Sequence, residues 1–342
     1  MQLSNKIDRR VLKERMSHNT EERTVISFYK YHPIKNPRLF RDHIYIEWDS
    51  LKVLGRIYVA HEGINAQLSV PNNLLDAFNK KMDEISFLEG IRRNYAVENK
   101  NNAFIKLKII AKDKIVADGI EDPNFDISKS GKHLDSKDFN KFLEQEKVLL
   151  LDMRNHYESE VGHFENAVLP DVDTFREQLP KLVALYGDRK EDPIGMYCTG
   201  GIRCEKASAY FLHHGFKNVS QLNGGVIKYA NDVKKGKIKS KFIGKNFVFD
   251  ERLGEKITDD VIANCHQCGS VADTHTNCLN EACHLLFIQC KECNEKFNGC
   301  CSDKCVTIYQ LPIDEQKKLR AGIDKGRQVF KKGRTQKLPF GK

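Results

Sequence analysis

A cysteine, two glycines and an arginine fall within the six residues Cys198-Thr199-Gly200-Gly201-Ile202-Arg203, and Cys204 follows directly. The apolar run before them (Ile194, Met196, Tyr197) reads as a buried strand, and Glu205 to Leu212 reads as a helix ending near Gly215. A cysteine on a glycine-containing turn between strand and helix meets several backbone N–H groups and the positive end of the helix dipole. Those surroundings favour an anion, so Cys198 is expected to be partly or largely thiolate at neutral pH, with Arg203 adding permanent positive charge. The chemistry on offer is nucleophilic attack by sulfur or carriage of a persulfide. Cys204, at the first helical turn, is either a resolving thiol for an oxidised Cys198 or a buried helix residue; burial is the favoured reading. Asp152 and Arg154, at the end of a neighbouring strand, are either an ion pair supporting the loop or a surface pair.

A second set of reactive side chains lies downstream. Nine of the 11 cysteines fall between Cys265 and Cys305. Cys265-x2-Cys268 and Cys290-x2-Cys293 have the spacing of zinc knuckles, because two thiolates on one tight turn reach a single tetrahedral ion. Cys278, Cys283, Cys300, Cys301 and Cys305 supply a second set, with one left over. The expected assignment gives Cys265, Cys268, Cys290 and Cys293 one zinc, and Cys278, Cys283, Cys301 and Cys305 another, although spacing alone does not separate interleaved from sequential pairing. His266, His275 and His284 are alternative ligands. Four thiolates leave no open position, so two structural zinc ions are expected, and no motif for an organic cofactor is evident.

Composition narrows the partners. The chain of 342 residues is 40% hydrophobic and 30% charged, as soluble globular proteins are. No apolar run is long enough to span a bilayer and the first residues lack an apolar signal core, so a cytoplasmic protein without a membrane partner is expected. Between Lys317 and Lys342 ten Lys/Arg face one acid (Asp324), a surplus equal to the net charge of the whole chain, +9. Phe330 and Phe340 lie among these charges. Basic residues with interleaved aromatics suit phosphate contacts and base stacking, and equally suit a solvated tail.

The elements that must hold these residues read in order. Residues 1–22 form a polar N-terminal arm. Residues 23–118 give β-α-β-β-α-β, an α+β ferredoxin-like, acylphosphatase-like domain: a strand at Thr24–Tyr29, a helix opened by Asn36-Pro37, strands Gly55–Ala60 and Ile64–Val70, a helix after Pro71, and a returning strand Ala103–Ile110. Residues 119–134 are turn-rich and read as a linker. Residues 135–240 alternate strand and helix, implying an α/β unit with a parallel sheet; its helix from Asp173 to Tyr186 is expected to be interrupted at Pro180. Residues 241–310 form the Cys-rich zinc-binding module, and 311–342 the basic tail.

Asp152-Met153-Arg154, Gly162-His163-Phe164-Glu165-Asn166-Ala167, Cys198 to Arg203 and Leu222-Asn223-Gly224-Gly225 resemble, in order, the motifs of a rhodanese domain over residues 135–235. The cysteine-to-arginine loop spans six residues as in sulfur-handling rhodaneses, one fewer than in the related phosphatases. Tyr229 stands where many rhodaneses carry tryptophan. The resemblance widens with Gly55-Arg56-Ile57-Tyr58-Val59-Ala60-His61-Glu62-Gly63-Ile64-Asn65-Ala66-Gln67 and the cysteines from Cys265 to Cys305. Over residues 20–310 the chain resembles the bacterial tRNA uridine hydroxylase family.

That resemblance implies an oxidoreductase that hydroxylates carbon 5 of the wobble uridine with molecular oxygen as co-substrate. The family's essential cysteine maps to Cys198, with Arg203 beside it and Thr199, Gly200, Gly201, Ile202, Cys204, Asp152 and Arg154 as loop and support. With tRNA as partner and no DNA expected, the candidate RNA contacts are Arg56, His61 and Asn65, together with Lys331, Lys332 and Arg334. The competing reading is a sulfurtransferase that passes persulfide sulfur to a small thiol or protein; the modules beyond the rhodanese unit favour a macromolecular substrate.

Overall fold

The computed structural model describes residues 3, 7, 9–99, 101–322 and 331–341. After a short helix, α1 (Arg9–Ser17), the chain builds a mixed sheet from β1 (Arg23–Tyr31), β2 (Leu54–Ala60), β3 (Gly63–Pro71), β4 (Asn94–Tyr95) and β5 (Leu107–Ala111), in the order β4-β1-β3-β2-β5. Helices α2 (Pro37–Ser50) and α3 (Leu75–Asp83) cover one face. Asn36 caps α2 by accepting the Leu39 N–H at 3.0 Å, with Pro37 at the first helical position, as the sequence predicts. Strand alternation then sorts the side chains. Ile26, Phe28, Ile57, Val59, Leu68 and Trp48 meet in the core. Ser27, Tyr29, Arg56, Tyr58, Asn65 and Gln67 stand on the other face, where the register aligns Ser27 with Gln67 and Arg56, and Tyr29 with Asn65 and Tyr58.

The order 4-1-3-2 is that of a ferredoxin-like unit, with one correction to the expected strands. The return strand beside β1 is only the two-residue β4, while the anticipated Ala103–Ile110 strand begins at Leu107 and lies on the opposite edge, parallel to β2. Periodicity identified the strand, but nothing local distinguishes one sheet edge from the other.

The second unit is a parallel sheet in the order β6-β10-β9-β7, from β6 (Lys132–Leu134), β7 (Leu149–Asp152), β9 (Pro193–Tyr197) and β10 (Asn218–Leu222). Residues 132–134, expected within the linker, are its edge strand. Around it lie α4 (Ser136–Phe142), α5 (His156–Ser159), β8 (Gly162–Phe164), α6 (Phe175–Leu185), α7 (Ile202–His213) and α8 (Gly225–Lys234). Alternate strand residues feed two cores. Leu149, Leu151, Ile194 and Met196 face α6 and α7, while Leu150, Tyr197 and Leu222 face Val226 and Tyr229 of α8. Helix α6 runs through Pro180 uninterrupted. Burial of Phe175, Leu179 and Leu182 on one side outweighs the single backbone hydrogen bond that proline forgoes.

Beyond α8, β11 (Phe242–Asn246) pairs antiparallel with β8 and with β12 (Glu255–Lys256), so the chain after residue 240 returns to the second unit before entering the cysteine-rich module. That module is built on a hairpin of β13 (His275–Asn277) and β14 (Leu286–Ile288).

The described part of the basic tail folds back on this module. The Phe340 N–H donates to the His266 carbonyl at 2.8 Å. Lys325, Arg327, Phe330 and Lys342 lie outside the described residues.

Candidate active site

Strand β9 ends at Tyr197, and α7 begins at Ile202 with Gly201 as its N-cap at φ 106°, a left-handed conformation that favours glycine. The turn between them carries Cys198. The Gly201 N–H donates to the Cys198 Sγ at 3.1 Å, and the thiol and N–H of Cys204 lie beside that sulfur, the N–H donating to the Gly201 carbonyl at 3.0 Å. Burial pushes the Cys198 thiol up, since the residue has no exposed surface. The Cys204 thiol, the Arg203 guanidinium and the two N–H groups outweigh burial, and the pKa falls from 9.0 to about 6. The turn therefore favours the thiolate.

Every residue of the turn is tied down. The Cys198 carbonyl accepts the Val226 N–H at 3.0 Å and the Thr199 carbonyl the Ile227 N–H at 3.1 Å, both from α8. A Cβ on Gly225 would lie 2.5 Å from the Cys198 oxygen, so only glycine lets α8 dock there. From the N-terminal sheet, Asn94 donates to the Gly200 carbonyl at 3.3 Å and Tyr31 to the Ile202 carbonyl at 3.2 Å. Tyr29 donates to Glu205 at 2.9 Å.

The partner of Arg203 is a residue that the sequence reading missed. Arg203 grips Glu158 with two hydrogen bonds of 2.6 and 2.8 Å, and Thr199 donates to the same carboxylate at 2.9 Å. Glu158 has no exposed surface, and it also accepts the Asn155 N–H at 2.9 Å. The pattern Asn155-x-x-Glu158 is a capping-box signal and marks a helix start, but its ion pair lies 45 residues along the chain. Asp152 and Arg154 are a buried pair rather than a surface one. Two nitrogens of Arg154 bond Asp152 at 2.9 and 2.7 Å, and the Tyr197 hydroxyl donates to Asp152 at 2.8 Å, bracing the strand just before the cysteine.

Cys198, Thr199, Gly200 and Arg203 line a cleft of about 700 Å³ whose opposite wall is the polar face of the N-terminal sheet. Its third side is the segment Val248 to Arg252. Of the six candidate RNA contacts, Arg56, Asn65 and Lys331 line this cleft. The other three are elsewhere. His61 lines a neighbouring cavity and its Nδ1 bonds the Ile34 carbonyl at 3.0 Å. Lys332 pairs with Asp171 at 2.6 Å, and Arg334 donates to the Cys283 carbonyl and sulfur at 3.1 Å.

The module's sulfurs gather in two groups, Cys265, Cys268, Cys290 and Cys293, and Cys278, Cys283, Cys301 and Cys305. The groups interleave along the chain, which spacing alone did not decide. Sulfur separations of 3.6 Å (Cys268–Cys290), 3.6 Å (Cys283–Cys301) and 3.7 Å (Cys301–Cys305) match the edge of about 3.8 Å that four zinc–thiolate bonds of about 2.3 Å give in a tetrahedron. Both groups can therefore hold a metal ion. Neither includes a histidine: His266 instead bonds Glu160 at 2.7 Å, linking the module to the end of α5. Cys300 is the residue left over and is buried.

Comparison with known proteins adds three domain matches: UPF0176 acylphosphatase like domain over residues 23–115, Rhodanese-like domain over 135–232 and Rhodanase C-terminal over 243–306. Full-length relatives are similar throughout. A tRNA uridine(34) hydroxylase of Pectobacterium carotovorum subsp. carotovorum is 53% identical over 333 residues, 97% of this chain and 94% of that one. The protein of the same name in Photorhabdus laumondii is 52% identical over 97% of this chain and 95% of its own. That in Leptospira interrogans is 49% identical over 97% and 90%.

Proposed function

The chain belongs to the tRNA uridine(34) hydroxylase family, and on that premise we propose that it hydroxylates carbon 5 of the wobble uridine of tRNA, in an oxygen-dependent reaction, with the Cys198 thiolate as nucleophile. The observation that carries this reading is the Cys198 turn, whose N–H groups and guanidinium favour the thiolate, set in the wall of a cleft of about 700 Å³ faced by a polar sheet. In uracil the C5–C6 double bond is conjugated to the O4 carbonyl. A thiolate that adds at C6 moves electron density onto C5, the atom to be oxidised. The wobble base lies in a single-stranded loop, so turning it into the cleft has a low unstacking cost.

The cleft's own residues divide the work. Tyr29, Tyr58, Tyr157 and Phe249 offer aromatic surface for the base, and Arg56 and Lys331 offer positive charge for the flanking phosphates. Arg203, ion-paired with Glu158 and hydrogen-bonded to Thr199, fixes the turn and contributes part of the field on Cys198. We assign structural zinc to both four-sulfur sites. Bound there, it cross-links the hairpin to the segments around it, which holds His266 against Glu160 beneath the catalytic unit. Among the described residues no helix is long and apolar enough to cross a membrane, and the proposed site of action is the cytoplasm, where tRNA is.

The test is mass spectrometry of tRNA nucleosides from cells carrying Cys198→Ser. Loss of 5-hydroxyuridine is expected. The rhodanese-like match and six-residue loop favour sulfur transfer as the second reading. Unchanged nucleosides together with lost thiosulfate:cyanide transfer would select it.

A further inference from the structure

We propose that Cys204 is the redox partner of Cys198, and that the two sulfurs together supply the two electrons that hydroxylation by dioxygen requires. The inference rests on the hydroxylase reading and goes beyond it. Replacing the C5–H of uracil by C5–OH takes one oxygen atom of O2. The other atom must leave as water, which consumes two electrons and two protons beyond those the base provides.

The structure offers a source for both. Cys204 shares the apolar cluster of Cys198, with Ala207 and Phe211, and has no exposed surface. Its thiol lies beside the Cys198 sulfur in that cluster and favours the charged form of Cys198. The turn that brings them together is pinned, with the N–H groups of Cys204 and Glu205 both donating to the Gly201 carbonyl, at 3.0 and 3.2 Å. Burial, followed by the neighbouring Cys198 sulfur, pushes the Cys204 thiol well above its ordinary range, so it keeps its proton where Cys198 has lost one. One sulfur is thereby a nucleophile and the other a proton-bearing reductant. The eight cysteines of the two metal groups are committed elsewhere.

The steps balance as follows. The Cys198 sulfur bonds to C6, and the electron pair released onto C5 bonds to O2, giving a C5 hydroperoxide once a proton is taken up. Cys204 sulfur attacks the distal oxygen, the O–O bond breaks, and C5–OH and a Cys204 sulfenic acid result. The C5 proton leaves and the C6–S bond breaks, restoring the uracil double bond and freeing the Cys198 thiolate. That thiolate displaces the sulfenic oxygen as water and forms the Cys198–Cys204 disulfide. The net change is uridine plus O2 plus two thiols to 5-hydroxyuridine plus water plus one disulfide. An external dithiol then attacks Cys198, the member of the pair that belongs to the cleft wall, and resets the pair.

The experiment uses the full-length zinc-loaded chain, substrate tRNA and dissolved O2 with no thiol present. One 5-hydroxyuridine per chain is expected, accompanied by a Cys198–Cys204 disulfide in non-reducing peptide mass spectrometry, with dithiothreitol restoring turnover. Cys204→Ser and Cys204→Ala should both keep tRNA affinity and lose at least tenfold in product under the same conditions. Several products per chain without any thiol, a disulfide elsewhere or none, or either variant turning over at the wild-type rate would overturn the proposal. Absence of product from the wild-type chain even with dithiothreitol and O2 would overturn the hydroxylase reading and this inference with it.

Discussion

At the scale of single residues the account turns on one ionisation. With a pKa of about 6, Cys198 is protonated as the pH falls through that value, and the reactive form disappears. Its alkylation by iodoacetamide should therefore rise with pH around a midpoint near 6; a midpoint near 9 would mean the turn does nothing for the sulfur. Arg203 and Glu158 separate charge from architecture. Arg203→Met leaves a buried carboxylate unpaired, which costs about 3–5 kcal/mol in denaturant unfolding, and also moves the alkylation midpoint up. Glu158→Gln should cost stability by the same mechanism while leaving the midpoint at or below 6, because the guanidinium remains. Equal midpoints in the two variants would remove Arg203 from the electrostatics of the thiol.

At the scale of elements, the strand–turn–helix around Cys198 was legible because each part has a local signature: an apolar run, two glycines, and an amphipathic stretch after them. What positions the turn from outside was not. Glu158 pairs across 45 residues, and Tyr29 and Asn94 reach the turn from a different sheet. The edge chosen by β5 and the continuity of α6 through Pro180 depend likewise on burial that no short window contains. The contact from Tyr29 is testable. A Cβ on Gly201 would sit 2.8 Å from the Tyr29 hydroxyl, at a φ of 106°. Gly201→Ala should lose about 1–3 kcal/mol of stability and most of the hydroxylation rate, and Tyr29→Phe in the same chain should recover part of the loss. If Gly201→Ala matched the wild type in both, the tyrosine would not be constraining the turn.

At the scale of the whole molecule, three units converge on one cleft: the polar face of the first sheet, the cysteine turn of the second, and the segment from Val248 to Arg252 that leads to the cysteine-rich module. Sequence spacing marked the two C-x2-C pairs as ligands, but the interleaving of the two four-sulfur groups appears only once the hairpin brings the pairs together. Six basic or polar residues proposed for RNA were harder, because a charge in a list has no direction; three face the cleft and three are held by Ile34, Asp171 and Cys283. Metal release tests the scaffold role. Stripping with a thiol-reactive mercurial and a chelator should free about two zinc ions per chain and lower the melting temperature; release of none would leave the sulfur groups as packed thiols. The convergence itself is tested most directly with an anticodon stem-loop carrying 5-fluorouridine at the wobble position, in which the fluorine slows breakdown of an adduct at C6. The account predicts a covalent complex, mapped by mass spectrometry to Cys198 and absent from Cys198→Ser. A fluorinated stem-loop that binds but never bonds to the protein, or bonds at a different residue, would contradict it.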